Sequence, residues 1–194
     1  MNKADLIAVL KRDGFSKEVV HAFSCVDREK FFPEDLREYA YHNDAFPLGK
    51  DATISQPSTI AFMLDLLDVH DVKAIVEIGS GSGYVLALLS VLAPKASITG
   101  YEINNALVDA SQDALTNYAN VTVVNASGKS LTGQYDRILV SAAVQNQKEM
   151  DYFIKHLSSE GILVAPYDDG IVRYEVKRAK QQYFPGFVFV PLQD

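Results

Sequence analysis

Residues 76–88 read VEIGSGSGYVLAL. Val76, Glu77 and Ile78 run into Gly79, Gly81 and Gly83, which Ser80 and Ser82 separate. An apolar run at helical spacing starts at Tyr84. A short apolar strand, a glycine turn and a helix form the first crossover unit of a parallel sheet. Glycine at such a turn tolerates positive φ and lets a ligand approach the backbone closely. In an open parallel sheet, ligands sit outside the carboxyl ends of the strands.

The pattern extends outward from this unit. Strands are expected at 73–79, 96–103, 120–126, 135–144, 160–167, 170–178 and 184–192, with helices at 84–94, 105–119 and 147–157. Apolar strands alternating with helices predict an α/β, Rossmann-like fold. The expected core is a seven-stranded, mostly parallel sheet with helices on both faces. The last two strands follow without an intervening helix, so one is expected to pair antiparallel. Upstream, residues 1–45 read as helical and charged, 46–56 as a loop, and 57–67 as a helix with an apolar core stripe. The whole chain, 1–194, is expected to be one domain with 1–56 as an N-terminal helical and loop extension.

The glycine loop is G-x-G-x-G, one residue shorter in its spacing than the dinucleotide fingerprint. Glu77 stands just ahead of it, where an acid disfavours a pyrophosphate and favours an ammonium or sulfonium group. Glu102, with Ile103 beside it, ends the second strand about 20 residues on, where an acid accepts hydrogen bonds from ribose hydroxyls. A nucleoside with a cationic amino-acid tail describes S-adenosyl-L-methionine, with S-adenosylhomocysteine as product. The candidate cofactor residues are therefore Glu77, Gly79, Ser80, Gly81, Ser82, Gly83, Glu102 and Ile103. Ser127 and Gly128 join them at the end of the third strand, and Ser141 at the end of the fourth. The plainer alternatives are a purely structural glycine turn and solvated strand-end polar residues.

Composition narrows the partners. The net charge is −7 and no run of Lys or Arg occurs, which disfavours nucleic acid. The longest apolar run, YVLALLSVLA, is far shorter than the about 20 residues that span a bilayer, so no membrane segment is expected. The N-terminal stretch carries interleaved charges and does not read as a signal peptide. Cys25 is the single cysteine, which fits a reducing cytoplasm. The histidines, His21, His42, His70 and His156, lie far apart, and no metal is expected. Monomer is the default assembly.

At this point the chain resembles the protein-L-isoaspartate O-methyltransferase family. REKFFP, FPLG followed by TISQP, VEIGSGSGY, YEIN, YDRILVSAA, LSSEGILVAP and the terminal FVFVPLQD carry the resemblance. It implies a Rossmann-like methyltransferase fold and methylation of the abnormal carboxylate of isoaspartyl residues in damaged peptides and proteins, a repair reaction. It places the active-site serine at Ser55 in the T-I-S-x-P motif. Ser55 precedes Pro57, which suits the first turn of a helix, and free N–H groups there favour an anion. Ser55, or Thr53 with Gln56, also reads as a simple helix cap. Thr53, Ile54 and Ser55 are the candidate substrate-binding residues, Thr53 and Ile54 in an extended backbone that pairs with a peptide. A carboxylate acceptor is already ionised at neutral pH, so no general base is required.

Three places depart from the family pattern. Ser127 stands where an acid is usual, Ser58 where a histidine is usual, and Gly49-Lys50-Asp51-Ala52 where Gly-x-Gly-Gln is usual. Lys50 reads as a solvated loop lysine, or as an attractor of the acceptor carboxylate. Two alternatives stand beside isoaspartyl methylation. One is a methyltransferase of the same fold with another acceptor. The other is a non-catalytic member that binds a nucleoside or a partner protein.

Overall fold

The computed structural model describes residues 1–49 and 52–193. Lys50, Asp51 and Asp194 lie outside the described residues, so the alternatives for Lys50 have no structural counterpart here.

Helices α1 (Lys3–Arg12) and α2 (Lys17–Cys25) open the chain. Asn2 and Asp5 form a reciprocal capping box at the start of α1, with bonds of 3.0 and 2.9 Å. The Ser16 hydroxyl accepts from Val19 N–H at the start of α2. Leu6, Leu10, Val19, Val20 and Phe23 bury the inner faces of these helices in the main core. Two 3-10 turns follow, at Arg28–Phe31 and Glu34–Tyr39.

Residues 46–56 were expected to be a loop. They instead contain β1 (Phe46–Gly49) and β2 (Ala52–Ile54), paired antiparallel with Phe46 opposite Ile54 and Pro47 opposite Thr53. The Phe46 ring packs 5.8 Å from both Phe32 and Tyr39, and those contacts with the 3-10 turns hold the hairpin down. Helix α3 spans Pro57–Leu67, as its spacing predicts.

Then the sheet is built in turn: β3 (Ala74–Ile78), α4 (Tyr84–Leu92), β4 (Ser97–Glu102), α5 (Asn105–Ala114), β5 (Val121–Asn125) and β6 (Tyr135–Val140). Helix α6 (Gln147–Lys155), β7 (Leu157–Tyr167), β8 (Gly170–Glu175) and β9 (Lys180–Pro185) complete it. The strand order is β5-β4-β3-β6-β7-β8-β9, seven strands. Pairs from β5 through β7 are parallel, and β8 and β9 are both antiparallel to their predecessors.

The near-continuous apolar runs divide by strand period. Ile75, Ile98, Leu139, Ile162 and Ile171 face the core shared with α1–α4. Val76, Ile78, Ile138, Val140, Leu163 and Val172 face the core closed by Met150 and Phe153 of α6. Burial on both faces is what makes the strands read as apolar throughout.

The final strand differs from expectation. It runs from Lys180 to Pro185 rather than 184–192. Gly186 adopts φ +96°, and the N–H groups of Gly186 and Phe187 both donate to Asp169 O, which turns the chain out of the sheet. Phe187 then stacks on Phe62 of α3 at 5.2 Å between centroids. Ala143 N–H donates to Val190 O, and Leu192 N–H to Ala143 O, both at 2.8 Å. The apolar tail is thereby laid across the carboxyl ends of the parallel strands.

Candidate active site

The turn after β3 is shaped by backbone hydrogen bonds. Gly79, Gly81 and Gly83 have φ of +74, +52 and +80°. Gly79 and Ser80 N–H both donate to Tyr101 O, Gly83 N–H to Ser80 O, and Gly81 N–H to Glu102 Oε2 at 2.8 Å. These four donors are spent inside the protein. The loop is thus no phosphate cradle, in contrast to loops that aim such groups at an anion. What the glycines offer a ligand is a surface without side chains. Gly83 serves packing instead, since a Cβ there would lie 2.7 Å from Leu115 Cδ1.

Two carboxylates flank the turn. Glu102 is 8% exposed, and its oxygens accept from Gly81 N–H at 2.8 Å and Asn104 N–H at 2.9 Å. Asn104 in turn caps α5 by accepting from Ala106 N–H. Glu102 therefore ties the glycine loop to the next strand–helix turn. Glu77 is 1% exposed. Its Oε1 accepts from the Ser141 hydroxyl at 2.6 Å, while Oε2 has no partner among the described residues. Burial pushes the Glu77 carboxyl up to about 8, the Ser141 bond works against the shift, and the nearby Glu102 charge adds to it. A buried acid with an orphan oxygen calls for a cationic or donor-bearing ligand. The Ser80 hydroxyl is also buried without a partner.

These groups line a cleft of three adjoining chambers that share lining residues. Thr53 and Ser141 line all three. The innermost holds Glu77, Gly79, Ser80, Gly81, Ser82, Ile54 and Ser55. A second extends along β4 and holds Glu102, Ile103, Ala126 and Gly128. The third opens from Ser55 toward Ser58, Phe62 and the tail. Of the expected cofactor residues, Gly83 and Ser127 do not line the cleft. The Ser127 hydroxyl accepts from Lys129 N–H, capping a 3-10 turn. Gly128 is required by close approach, because a Cβ there would meet Ile78 Cγ2 at 2.3 Å.

Ser55 does not cap α3. The N-cap position is Gln56, without a side-chain cap. A distant residue does the work: Asn43 Oδ1 accepts from Ser58 N–H at 3.0 Å. Ser55 faces both the innermost and the outer chamber. Thr53 and Ile54 lie extended in β2, whose second edge has no strand partner among the described residues.

Several lining or supporting residues were not singled out from sequence. Phe189, Val190 and Pro191 of the tail wall the cleft. Arg28 is fully buried behind Ser55, donating to its carbonyl at 2.8 Å. The signals were present, an apolar C-terminal segment and an arginine beside two phenylalanines, but neither reveals what it will contact.

The family model for protein-L-isoaspartate(D-aspartate) O-methyltransferase matches residues 1–194. A Methanococcoides burtonii protein-L-isoaspartate O-methyltransferase is 36% identical over 167 residues, covering 83% of this chain and 81% of the relative. That of Methanothrix thermoacetophila is 34% identical over 202 residues, covering 99 and 95%. Among solved structures, a Plasmodium falciparum protein of this family in complex with S-adenosyl-L-homocysteine superposes with TM-score 0.85 at 20% identity. It covers 100% of this chain and 99% of its own, a likeness of fold. With a family model matching end to end and relatives above 30% identity across most of their length, this chain belongs to the protein-L-isoaspartate(D-aspartate) O-methyltransferase family.

Proposed function

We propose that this protein transfers the methyl group of S-adenosyl-L-methionine to the free carboxylate of L-isoaspartyl residues in damaged peptides and proteins. The observation that carries the reading is the orphan oxygen of buried Glu77 in a cleft that leads directly to Ser55. Glu77, with the side-chain-free surface of the glycine turn and Ser80 and Ser82, receives the cationic amino-acid tail. Glu102 receives the ribose hydroxyls, using lone pairs not taken by Gly81 and Asn104. Ile103, Gly128 and the Ser127 turn border the adenine, and Gly83 and Ser141 hold the loop and Glu77 in place.

The bound cofactor supplies an activated methyl group on a sulfonium. The protein holds the acceptor. The Ser55 hydroxyl donates to the acceptor carboxylate, and the open edge of β2 at Thr53 and Ile54 pairs with the substrate backbone. No side chain takes a proton, because the carboxylate is already ionised at pH 7. Rate comes from alignment and from a dry site with few donors.

In this reading the chain acts as one methyltransferase domain, residues 1–56 forming an extension whose helices share the main core. It works as a monomer on peptides rather than nucleic acid, in the cytoplasm, as its lone Cys25 suggests. None of the described helices is long and apolar enough to cross a membrane.

The test is incubation with methyl-labelled S-adenosyl-L-methionine and an isoaspartyl peptide, with the aspartyl peptide as control. A base-labile methyl ester on the isoaspartyl peptide alone is expected. Labelling of neither peptide, despite binding of S-adenosylhomocysteine, overturns the acceptor assignment. It favours the second reading, a methyltransferase with another acceptor, which the cleft positions of Ala52 and Ser58 motivate.

A further inference from the structure

Among the described residues, Arg28 is the one fully buried charged side chain without a role in the proposed methyl transfer. Its guanidinium lies 4.7 Å from the Tyr84 ring centroid and 5.2 Å from that of Phe32. One nitrogen donates to Ser55 O at 2.8 Å. Nε and Nη1 are buried and have no hydrogen-bond partner, and no carboxylate pairs with Arg28 among the described residues. The ionisable groups around it are Tyr84 and Tyr41, phenols that burial keeps neutral. Burial pulls the guanidinium down to about 10, so it stays charged at neutral pH.

An unpaired buried cation is costly, and aromatic faces offset only part of the cost. A role in which its counter-charge arrives with the substrate accounts for it. Tyr84, under the guanidinium, lines the innermost chamber together with Ser55 and Glu77. The cleft therefore carries an acid in one wall and a positive charge behind the other. A sulfonium suits the first and a carboxylate the second. Water is excluded around Arg28, so its field toward the cleft is weakly screened.

We propose that Arg28 is a positioning and specificity residue for the acceptor: it clamps the Ser55 main chain and supplies the standing positive charge that favours a carboxylate over a neutral group at Ser55. The inference rests on the carboxyl-methylation reading. The experiment compares the wild-type protein with Arg28→Gln, which keeps a donor without charge, and Arg28→Lys, which keeps charge. The isoaspartyl peptide is the substrate, and its isoasparaginyl amide is a competitive inhibitor. The readout is the ratio of the amide's inhibition constant to the peptide's KM, with calorimetric S-adenosylhomocysteine affinity as the measure of an intact site.

In Arg28→Gln this ratio is expected to fall at least tenfold while S-adenosylhomocysteine affinity stays within twofold. Arg28→Lys is expected to keep the ratio within threefold of wild type. A wild-type ratio in Arg28→Gln overturns the inference and leaves the acceptor assignment standing. If Arg28→Gln does not fold, Arg28→Lys decides, and a collapsed ratio in a variant that still binds S-adenosylhomocysteine overturns the inference. If the wild-type protein methylates no isoaspartyl peptide, the acceptor assignment fails and this inference falls with it.

Discussion

The two walls of the cleft are built in opposite ways. The wall at β3 and β4 comes from a short stretch of chain, residues 77–104; its glycine-turn donors are satisfied internally, while Glu77 Oε2 and the Ser80 hydroxyl are left without partners. Glu102 accepts two backbone N–H groups, and the glycine turn returns its donors to Tyr101, Ser80 and Glu102. The facing wall is gathered from three distant places: Arg28, the 43–58 segment, and the tail at 186–193. There the groups left over are cationic donors. Two guanidinium nitrogens of Arg28 lack partners, and α3 borrows its cap from Asn43. A wall with a spare carboxylate oxygen gains from a cation, whereas a wall with spare guanidinium donors gains from an anion. The departures from the family pattern at Ala52 and Ser58 fall on the second wall.

Removing the tie that organises the first wall has the largest expected effect. Glu102→Ala deletes two charge-assisted bonds within the protein, as well as those proposed to the ribose, each worth about 1.5–3 kcal/mol. S-adenosylhomocysteine affinity should fall by roughly a hundredfold or more on a calorimeter. An unchanged dissociation constant would place the sugar elsewhere.

On the second wall, Ser55→Ala should lower turnover of the isoaspartyl peptide by roughly ten- to a hundredfold, the worth of one hydrogen bond to a charged acceptor. S-adenosylhomocysteine affinity should stay within about twofold. Retained turnover would mean that Ser55 only lines the passage.

Glu77 sharpens the contrast through pH. Without ligand its carboxyl titrates near 8, and a cation bound beside it favours the ionised form. Binding should then release a proton at pH 7, and affinity should rise as pH climbs from 6 to 8, by at most about tenfold per unit. The α-amino group of the ligand loses its own proton above about 8, so the window is read below that. The sign for stability is the reverse. The raised value stabilises the ligand-free fold fully below the ordinary carboxylate range, and this contribution is lost as pH rises through about 8. Glu77→Gln should flatten both trends, measured by calorimetry in buffers of different ionisation enthalpy and by thermal unfolding. Pronounced pH dependence surviving in Glu77→Gln would locate the proton on another group.

The smallest effect belongs to the borrowed cap. Asn43→Ala should cost about 1 kcal/mol and lower Tm by about 2–4 °C. It should raise the KM for peptide more than it alters S-adenosylhomocysteine affinity, because it loosens only the acceptor wall. Equal losses on both sides would show the walls to be mechanically one.

Much of the fold and of the first wall was legible in the residues. Helix α3 begins and ends where Pro57 and the apolar spacing place it. The parallel strands read out because burial on both faces leaves unbroken apolar runs. Glu77 and Glu102 are legible as a pair flanking the cleft because the turn between them is local in sequence. The last strand was misplaced because FVFVPL has the composition of a strand, and only the turn at Gly186 onto Asp169 diverts it. Strands β1 and β2 read as loop in the sequence because they are short and held by aromatic contacts from Phe32 and Tyr39.

Taken alone, the sequence determined the sheet, the glycine turn and the pair of acids, since strand period, backbone freedom and charge act over neighbouring residues. Tertiary structure alone decided that the turn spends its own donors, that Ser127 and Gly83 serve the scaffold's geometry, and that Arg28 sits unpaired behind Ser55. Those outcomes depend on which distant groups meet in the dry interior, where a missing partner matters far more than it does in water.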